Sequence, residues 1–374
     1  MQSAVNFPKT VTLCTSAAAF SENQILKREV AKKYPGALWV PELVDKLTSH
    51  GISTVTGDVA LRQVKAGKLN PSELWVIQED QSSDADELIR LGAKGKVLLC
   101  FESPLFAANF YRDLVNVSRR FEHCVVFRGA LKDAFPLIDA YAMYFPSFDS
   151  TKSSQTISWE ARKNLVMVAG NKYWKIRRSL IRNVAAKVRD IVRHNPERFS
   201  KNYSSNQLHD RRLAAMSHFG RRGKLDLFGG GWDSLQNLPL RWQNELSGIV
   251  SDLKPKPCAN KLATIANYKF ALCFENIEFP GYVTEKLIDC LAAGVVPIYW
   301  GAPDIHNFIP EDCFIDARKF ETLDDLDNYL ENFSKNDAQN FLDCSNSFLS
   351  GKQGRRHSYE GFAGVIESIL MCQT

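Results

Sequence analysis

No apolar run in the sequence approaches the roughly 18 residues that a membrane-spanning helix needs. The opening MQSAVNFPKTVTLC lacks the apolar core of a secretory leader. These two absences set the expectation of a soluble, cytoplasmic protein whose contact with a membrane goes no further than a peripheral one at the inner face. Metal-type cysteine spacing is also missing. The nine cysteines (14, 100, 124, 258, 273, 290, 313, 344 and 372) form no C-x-x-C pair, and several lie inside apolar runs such as VLLCFE and FALCFE. Buried, reduced thiols are expected, as in a reducing compartment. Charge of one sign is scarce: 47 basic residues against 42 acidic ones leave +5, which argues against a nucleic-acid partner. There is no internal repeat, heptad array or G-x-G-x-x-G. Gly229-Gly-Gly-Trp is therefore no dinucleotide fingerprint, and an oxidoreductase is disfavoured.

What is present is ordinary globular material, 45% apolar and 24% charged. At 374 residues and roughly 150 per domain, two domains are expected. In the first 145 residues short apolar runs alternate with helical patterns. Val11–Cys14, Ile52–Val55, Leu74–Ile77 and Lys96–Phe101 read as strands, and Leu43–Leu47 and Asp84–Leu91 as helical. That rhythm is the signature of an α/β domain with a largely parallel sheet. The polar, turn-rich stretch from Pro146 to Thr156 reads as a linker, and a second α/β run starts at Asn164. The expected organisation is an α/β domain over 1–150 and another over 151–374, two Rossmann-like domains facing across a cleft. The last apolar-periodic helix, from Glu360 to Cys372, is a candidate to pack back on the first domain. Basic residues thicken between Arg162 and Arg222, which suits either a solvated face or a surface that meets an anion.

The most informative stretch runs from Tyr268 to Pro310. It reads as a strand ending at Phe274, a polar loop turning at Pro280-Gly281, a helix from Glu285 to about Ala293 and a strand from Val295. Thr284 is placed to cap the helix through a first-turn amide, and Gly294 to stop it. A helix N-terminus at the end of a strand attracts anions, and Lys286 adds a full positive charge there. Glu285 can compensate the helix dipole or face a sugar hydroxyl and the positive charge growing at an anomeric carbon. The D-x-D matches Asp84-Ala-Asp86 and Asp325-Leu-Asp327 lie at helix starts, where dipole compensation explains them, and the seven histidines show no ligand spacing. No metal site is expected.

FENIEFPGYVTEKL, followed by VPIYWGAP and NFIP, resembles the donor-binding segment of the family 10 glycosyltransferases, the α-1,3/1,4-fucosyltransferases. The resemblance covers about 45 residues in register. Phe101-Glu-Ser-Pro is similar to that family's F-E-S-P, and Leu225-Asp-Leu-Phe-Gly to its V-D-V-F-G strand. Otherwise the first half shares little with the family. The resemblance implies a GT-B type fold, GDP-fucose as donor, an oligosaccharide acceptor that is free or lipid-linked, and no cofactor or metal. It implies Glu102 as the general base and Glu285 as the carboxylate at the fucose ring. Arg212 and Lys286 would clamp the diphosphate, with Gly281, Tyr282 and Val283 shaping the pocket and Asn276 at the donor. Glu102 would otherwise cap a turn, and Asn276 would otherwise form an Asx turn. Arg212 is chosen because the family places its phosphate-binding arginine thirteen residues before the V-D-V-F-G strand. Arg177, six residues after the Gly170-Asn171 turn, is the rival, and 172–206 reads as an insertion between the two. The resulting expectation is an inverting transfer of L-fucose in α-1,3 linkage. The alternatives are the same fold with another nucleotide sugar, or a binding protein without catalysis.

Overall fold

The computed structural model of the chain describes residues 8–34, 36–131, 139–150, 157–173, 181, 184–185 and 205–372. The chain divides into two compact units, Met1–Ser150 with Arg355–Thr374, and Thr151–Gly354.

Among the described residues, the first unit is built on β1 (Thr10–Cys14), β2 (Ser53–Thr56), β3 (Leu74–Glu79), β4 (Lys94–Leu99), β5 (His123–Val126) and β6 (Asp139–Ala142). They form a parallel sheet in the order β2-β1-β3-β4-β5-β6. Val11, Leu13, Val76, Ile77, Leu98 and Leu99 on its central strands are buried, as near-continuous apolar runs covered on both faces must be. The flanking helices are α1 (Trp39–Ser49), α2 (Gly57–Lys65), α3 (Ser83–Arg90) and α4 (Ala108–Ser118). Ser82 caps α3 by accepting the Ala85 amide, which puts Asp84 and Asp86 in its first turn. The last helix, Tyr359–Met371, lies against α1. Phe362 meets Trp39 edge-on at 5.2 Å and Phe101 at 5.5 Å, and Glu367 pairs with Lys46 at 3.3 Å and His50 at 2.9 Å. Phe101, the residue before Glu102, is thus held in an aromatic cluster.

The second unit carries β7 (Lys163–Val168), β8 (Leu225–Phe228), β9 (Tyr268–Phe274), β10 (Val296–Trp300) and β11 (Ile315–Asp316), in the parallel order β11-β10-β9-β7-β8. Its longer helices among the described residues are α5 (His209–Arg221), α6 (Leu240–Leu253), α7 (Glu285–Ala292), α8 (Leu323–Glu331) and α9 (Lys335–Ser350). The chain leaves β7 toward β8 on one side and returns to β9 on the other. The strand order therefore reverses between β7 and β9, and in an open parallel sheet a ligand crevice lies at the carboxyl ends of such a pair.

The glycine triplet belongs to the exit of β8. Gly229 has φ +125, and a Cβ there would come within 2.4 Å of the Ala169 carbonyl oxygen. Only glycine lets the β8 loop lie on the β7 loop this closely. The Asn171 amide donates to Gly230 O at 2.9 Å, and Trp232 Nε1 donates to Ala169 O at 2.8 Å.

One expectation fails here. Cys313 and Cys344 are joined in a disulfide with Cα atoms 5.6 Å apart, although reduced thiols were expected throughout. The partners are 31 residues apart in sequence. Only the packing of α9 on the turn at Glu311–Cys313 brings them together, and spacing cannot reveal that. Cys14, Cys100, Cys124, Cys273 and Cys290 are buried free thiols, and burial pushes the pKa values of Cys14 and Cys124 up to about 12. Among the described residues no helix is long and apolar enough to cross a membrane.

Candidate active site

In the second unit the segment after β9 and the start of α7 form one bonded cluster at the reversal point. Gln207 pairs antiparallel with Ile277. The Leu208 amide donates to Asn276 O at 3.1 Å and the Glu278 amide to Asn206 O at 2.9 Å. These bonds seat the N-terminal end of α5 on the loop. From the first turn of α5, Arg212 Nη2 donates to Phe274 O at 2.7 Å, Glu275 O at 3.1 Å and Asn276 Oδ1 at 3.3 Å. Desolvation lowers its pKa from the ordinary arginine value, opposed by Glu275. Asn276 Nδ2 in turn donates to the Tyr282 hydroxyl at 3.3 Å. Arg212, Asn276 and Tyr282 are therefore one chain of contacts.

The loop backbone is occupied from within. The Gly281 amide donates to Asp304 Oδ1 at 2.7 Å, the Tyr282 amide to Phe279 O at 3.0 Å and the Val283 amide to Gly281 O at 2.9 Å. Tyr282 and Val283 are buried, so these three residues form the wall of the cluster. Thr284 stands at the N-cap of α7 as expected, but its side chain makes no cap bond. Instead Glu275, fully buried, accepts the Thr284 amide and hydroxyl at 2.9 Å each and the Lys286 ammonium at 2.9 Å. The Thr284 hydroxyl spends its proton on this carboxylate, and its oxygen accepts the Lys286 ammonium at 2.9 Å in place of a first-turn amide, a charge-assisted donor being the stronger. Gly294, with φ +64, follows the helix C-cap.

Electrostatics keep the charges of α7 in place. Burial works against the Lys286 ammonium, but Glu275 and Glu285 outweigh it and raise its pKa. Glu285 is likewise opposed by burial, yet Lys286 and Lys261 bring it down to about 2. Lys261 itself is fixed by Asp289 at 2.7 Å. Two residues not singled out from sequence belong to this cluster, Glu275 and His209. His209 sits one turn before Arg212 on α5. Burial first, then the charges of Arg212 and Lys286, hold its imidazole well below the usual histidine range and therefore neutral. The i, i+3 spacing of His209 and Arg212 was the available signal. Arg211 points elsewhere, its guanidinium 4.9 Å from the Trp300 ring centre. Arg177 lies outside the described residues.

Glu102 belongs to the other unit, just beyond β4, and its side chain is exposed. Its carbonyl accepts the Tyr111 hydroxyl at 3.0 Å, which ties the F-E-S-P turn to α4. At the neighbouring end of β3 the Asp80 amide donates to Leu99 O at 2.9 Å. Burial, then the charges of Asp80 and Glu102, push Glu79 up to about 7, and burial and Glu102 raise Asp80. The sequence reading passed over this carboxylate pair.

Among the described residues no group of three or more His, Cys, Asp or Glu is placed to hold a metal ion. Of the D-x-D residues, Asp86 pairs with Arg120, Asp325 completes a capping box with Thr322, and Asp327 pairs with Lys224 at 2.7 Å.

Residues 201–343 match the family model described as glycosyltransferase family 10 (fucosyltransferase), C-terminal. An α-(1,3)-fucosyltransferase of Helicobacter pylori is 39% identical over 72 residues, which are 19% of this chain and 15% of that protein. An α-(1,4)-fucosyltransferase of Arabidopsis thaliana is 42% identical over 67 residues, 18% and 17% of the two chains. A GDP-fucose protein O-fucosyltransferase 3 of Danio rerio is 45% identical over 74 residues, 20% and 16%. The matched segments thus span about a sixth of the length of these relatives. A glycosyltransferase from Rickettsia africae shares the fold at a TM-score of 0.52 and 8% identity, covering 98% of this chain and all of that one. An α1,3-fucosyltransferase crystallised with GDP-fucose aligns at 17% identity and a TM-score of 0.48, over 100% of this chain and 94% of its own. The bonded cluster from Arg212 to Lys286 falls within the matched segment, whereas Glu102 lies outside it. Over residues 201–343 this chain carries the C-terminal domain of the family 10 glycosyltransferases, the fucosyltransferase family.

Proposed function

We propose that the protein is an inverting fucosyltransferase that takes L-fucose from GDP-fucose and forms an α-1,3 linkage to a glycan hydroxyl. The observation that carries this reading is the joining of Arg212, Asn276, Tyr282, Glu285 and Lys286 in one bonded cluster at the carboxyl end of β9, inside the segment that matches the family. Arg212 and Lys286 bring two cations to a leaving diphosphate, and the ionised Glu285 is available to the sugar. In the proposed step Glu102 removes the proton of the acceptor hydroxyl and that oxygen attacks the anomeric carbon. The bond from that carbon to the phosphate oxygen breaks, and its electron pair leaves with GDP. Configuration inverts, so a β-linked donor gives an α-linked product. The two cations would carry the leaving-group charge without a metal, and the acceptor would be an oligosaccharide, free or lipid-linked at the inner membrane face.

The test is GDP release from GDP-fucose and a panel of other nucleotide sugars, with EDTA present, by the native chain and by Glu102→Gln. Release that is stimulated by a lactosamine-type acceptor and falls about 10²–10⁴-fold in the variant is expected. Turnover of another nucleotide sugar alone would overturn the donor assignment. Tight GDP-fucose binding without transfer to any acceptor would leave a binding protein.

A further inference from the structure

An ammonium has three protons to donate and no lone pair to accept with. All three of Lys286 have acceptors: Glu275 Oε2 at 2.9 Å, Thr284 Oγ1 at 2.9 Å and Glu285 Oε1 at 3.4 Å. A diphosphate that meets Lys286 must therefore displace one of them. Glu275 is the hardest to move. It is fully buried, it also holds the Thr284 amide and hydroxyl at 2.9 Å, and a Cβ at Gly301 would stand only 2.6 Å from its Cγ. Thr284 is locked to the same carboxylate. Glu285 has the longest contact of the three, and its side chain is 32% exposed.

We infer that Glu275 and Thr284 are the permanent partners of Lys286 and that Glu285 is the exchangeable one, surrendered when a nucleoside diphosphate takes its place on the ammonium. This rests on the donor reading above and adds an order of events to it. Phosphate binding frees a carboxylate one residue away, at the moment when the sugar that follows the phosphate needs a hydrogen-bond acceptor. Lys261 still faces the released carboxylate, so it accepts from a hydroxyl rather than donating. GDP alone would have to break the Glu285 contact without gaining the sugar contact, and a GDP-sugar would recover it.

The experiment is calorimetric titration of the full chain with GDP and with GDP-fucose, in dilute buffer and in 0.5 M salt. Glu285→Gln is expected to bind GDP about 2–5-fold more tightly than the native chain, the scale of a partly exposed ion pair. Its preference for GDP-fucose over GDP should fall at least about 10-fold. Glu275→Gln should weaken both ligands by about 10-fold or more, since it leaves Lys286 and the Thr284 amide badly partnered. Thr284→Val, which leaves the buried charge pair intact, should weaken both in the same direction if Glu275→Gln does not fold. Equal losses for GDP and GDP-fucose in Glu285→Gln would overturn the exchange. So would a GDP advantage that vanishes in 0.5 M salt, because through-space repulsion is screened there. Native affinity in Glu275→Gln or Thr284→Val would overturn the fixed role of those two. A native chain that binds neither ligand would bring down the donor reading and this inference together, whereas failure in the variants alone leaves the donor reading standing.

Discussion

Replacing Arg212 by lysine separates the loop-holding bonds of this side chain from the phosphate contact proposed for it. Nη2 holds Phe274 O, Glu275 O and Asn276 Oδ1 at 2.7, 3.1 and 3.3 Å, and the proposed function gives the same guanidinium a phosphate. Lysine keeps the charge but has a single nitrogen on a differently shaped stem. A hydrogen bond to a charged group contributes about 1.5–3 kcal/mol. The ammonium can recover one of the two shorter bonds, and the 3.3 Å contact is weaker than the others. The unit should therefore lose about 2–4 kcal/mol, read as a fall of about 5–10 °C in Tm. GDP affinity should drop about 10–100-fold, because an ammonium cannot reproduce the planar fork on phosphate oxygens. Thermal melting and GDP titration of the same preparation read the two effects separately. A variant as stable as the native chain would refute the loop-holding role. A destabilised variant with undiminished GDP affinity would refute phosphate contact by Arg212 and pass that duty to Arg177, whose alanine variant should then lose the affinity.

Gly301→Ala would place a Cβ 2.2 Å from the Tyr299 hydroxyl and 2.6 Å from Glu275 Cγ. Both neighbours are buried, so overpacking of about 1–3 kcal/mol is expected, with weaker GDP binding in titration because Glu275 is pushed. Glu79 is ionised in the unfolded chain above about 4.5 but in the native state only above about 7. The native state therefore holds a proton that the unfolded one has lost, and stability falls as pH rises through that window. Urea unfolding from pH 5 to 8 should show Glu79→Gln gaining about 1–2 kcal/mol over the native chain as pH rises, and a constant difference would refute it. Phe362→Ala removes the ring that packs on Trp39 and Phe101 and should cost about 3–5 kcal/mol in denaturant unfolding of the first unit.

Sequence reasoning succeeded where the signal is local. β4 is legible because its run is apolar on both faces, and α7 because Leu287, Ile288 and Leu291 recur on one side of a pattern closed by Gly294 with φ +64. The boundary error at β4, expected to reach Phe101 but ending at Leu99, has a tertiary cause: Phe101 leaves the ladder to pack in the cluster with Trp39 and Phe362. The same reason hides the Cys313–Cys344 bond; the return of the last helix to the first domain was legible from its apolar period, but not that Phe362 would meet Trp39. Glu275 shows the limit most clearly. As a letter it is the middle of F-E-N, and nothing at i, i+3 or i, i+4 spacing ties it to Thr284, nine residues on, or Lys286, eleven residues on. Its role comes from being fully buried. That is tolerable only because an amide, a hydroxyl and an ammonium converge on it. A local reading gave Thr284 a capping role, since Ser and Thr at that position usually accept a first-turn amide. The buried carboxylate takes its hydroxyl proton and the Lys286 ammonium its oxygen, and together they tie the start of α7 to the loop after β9.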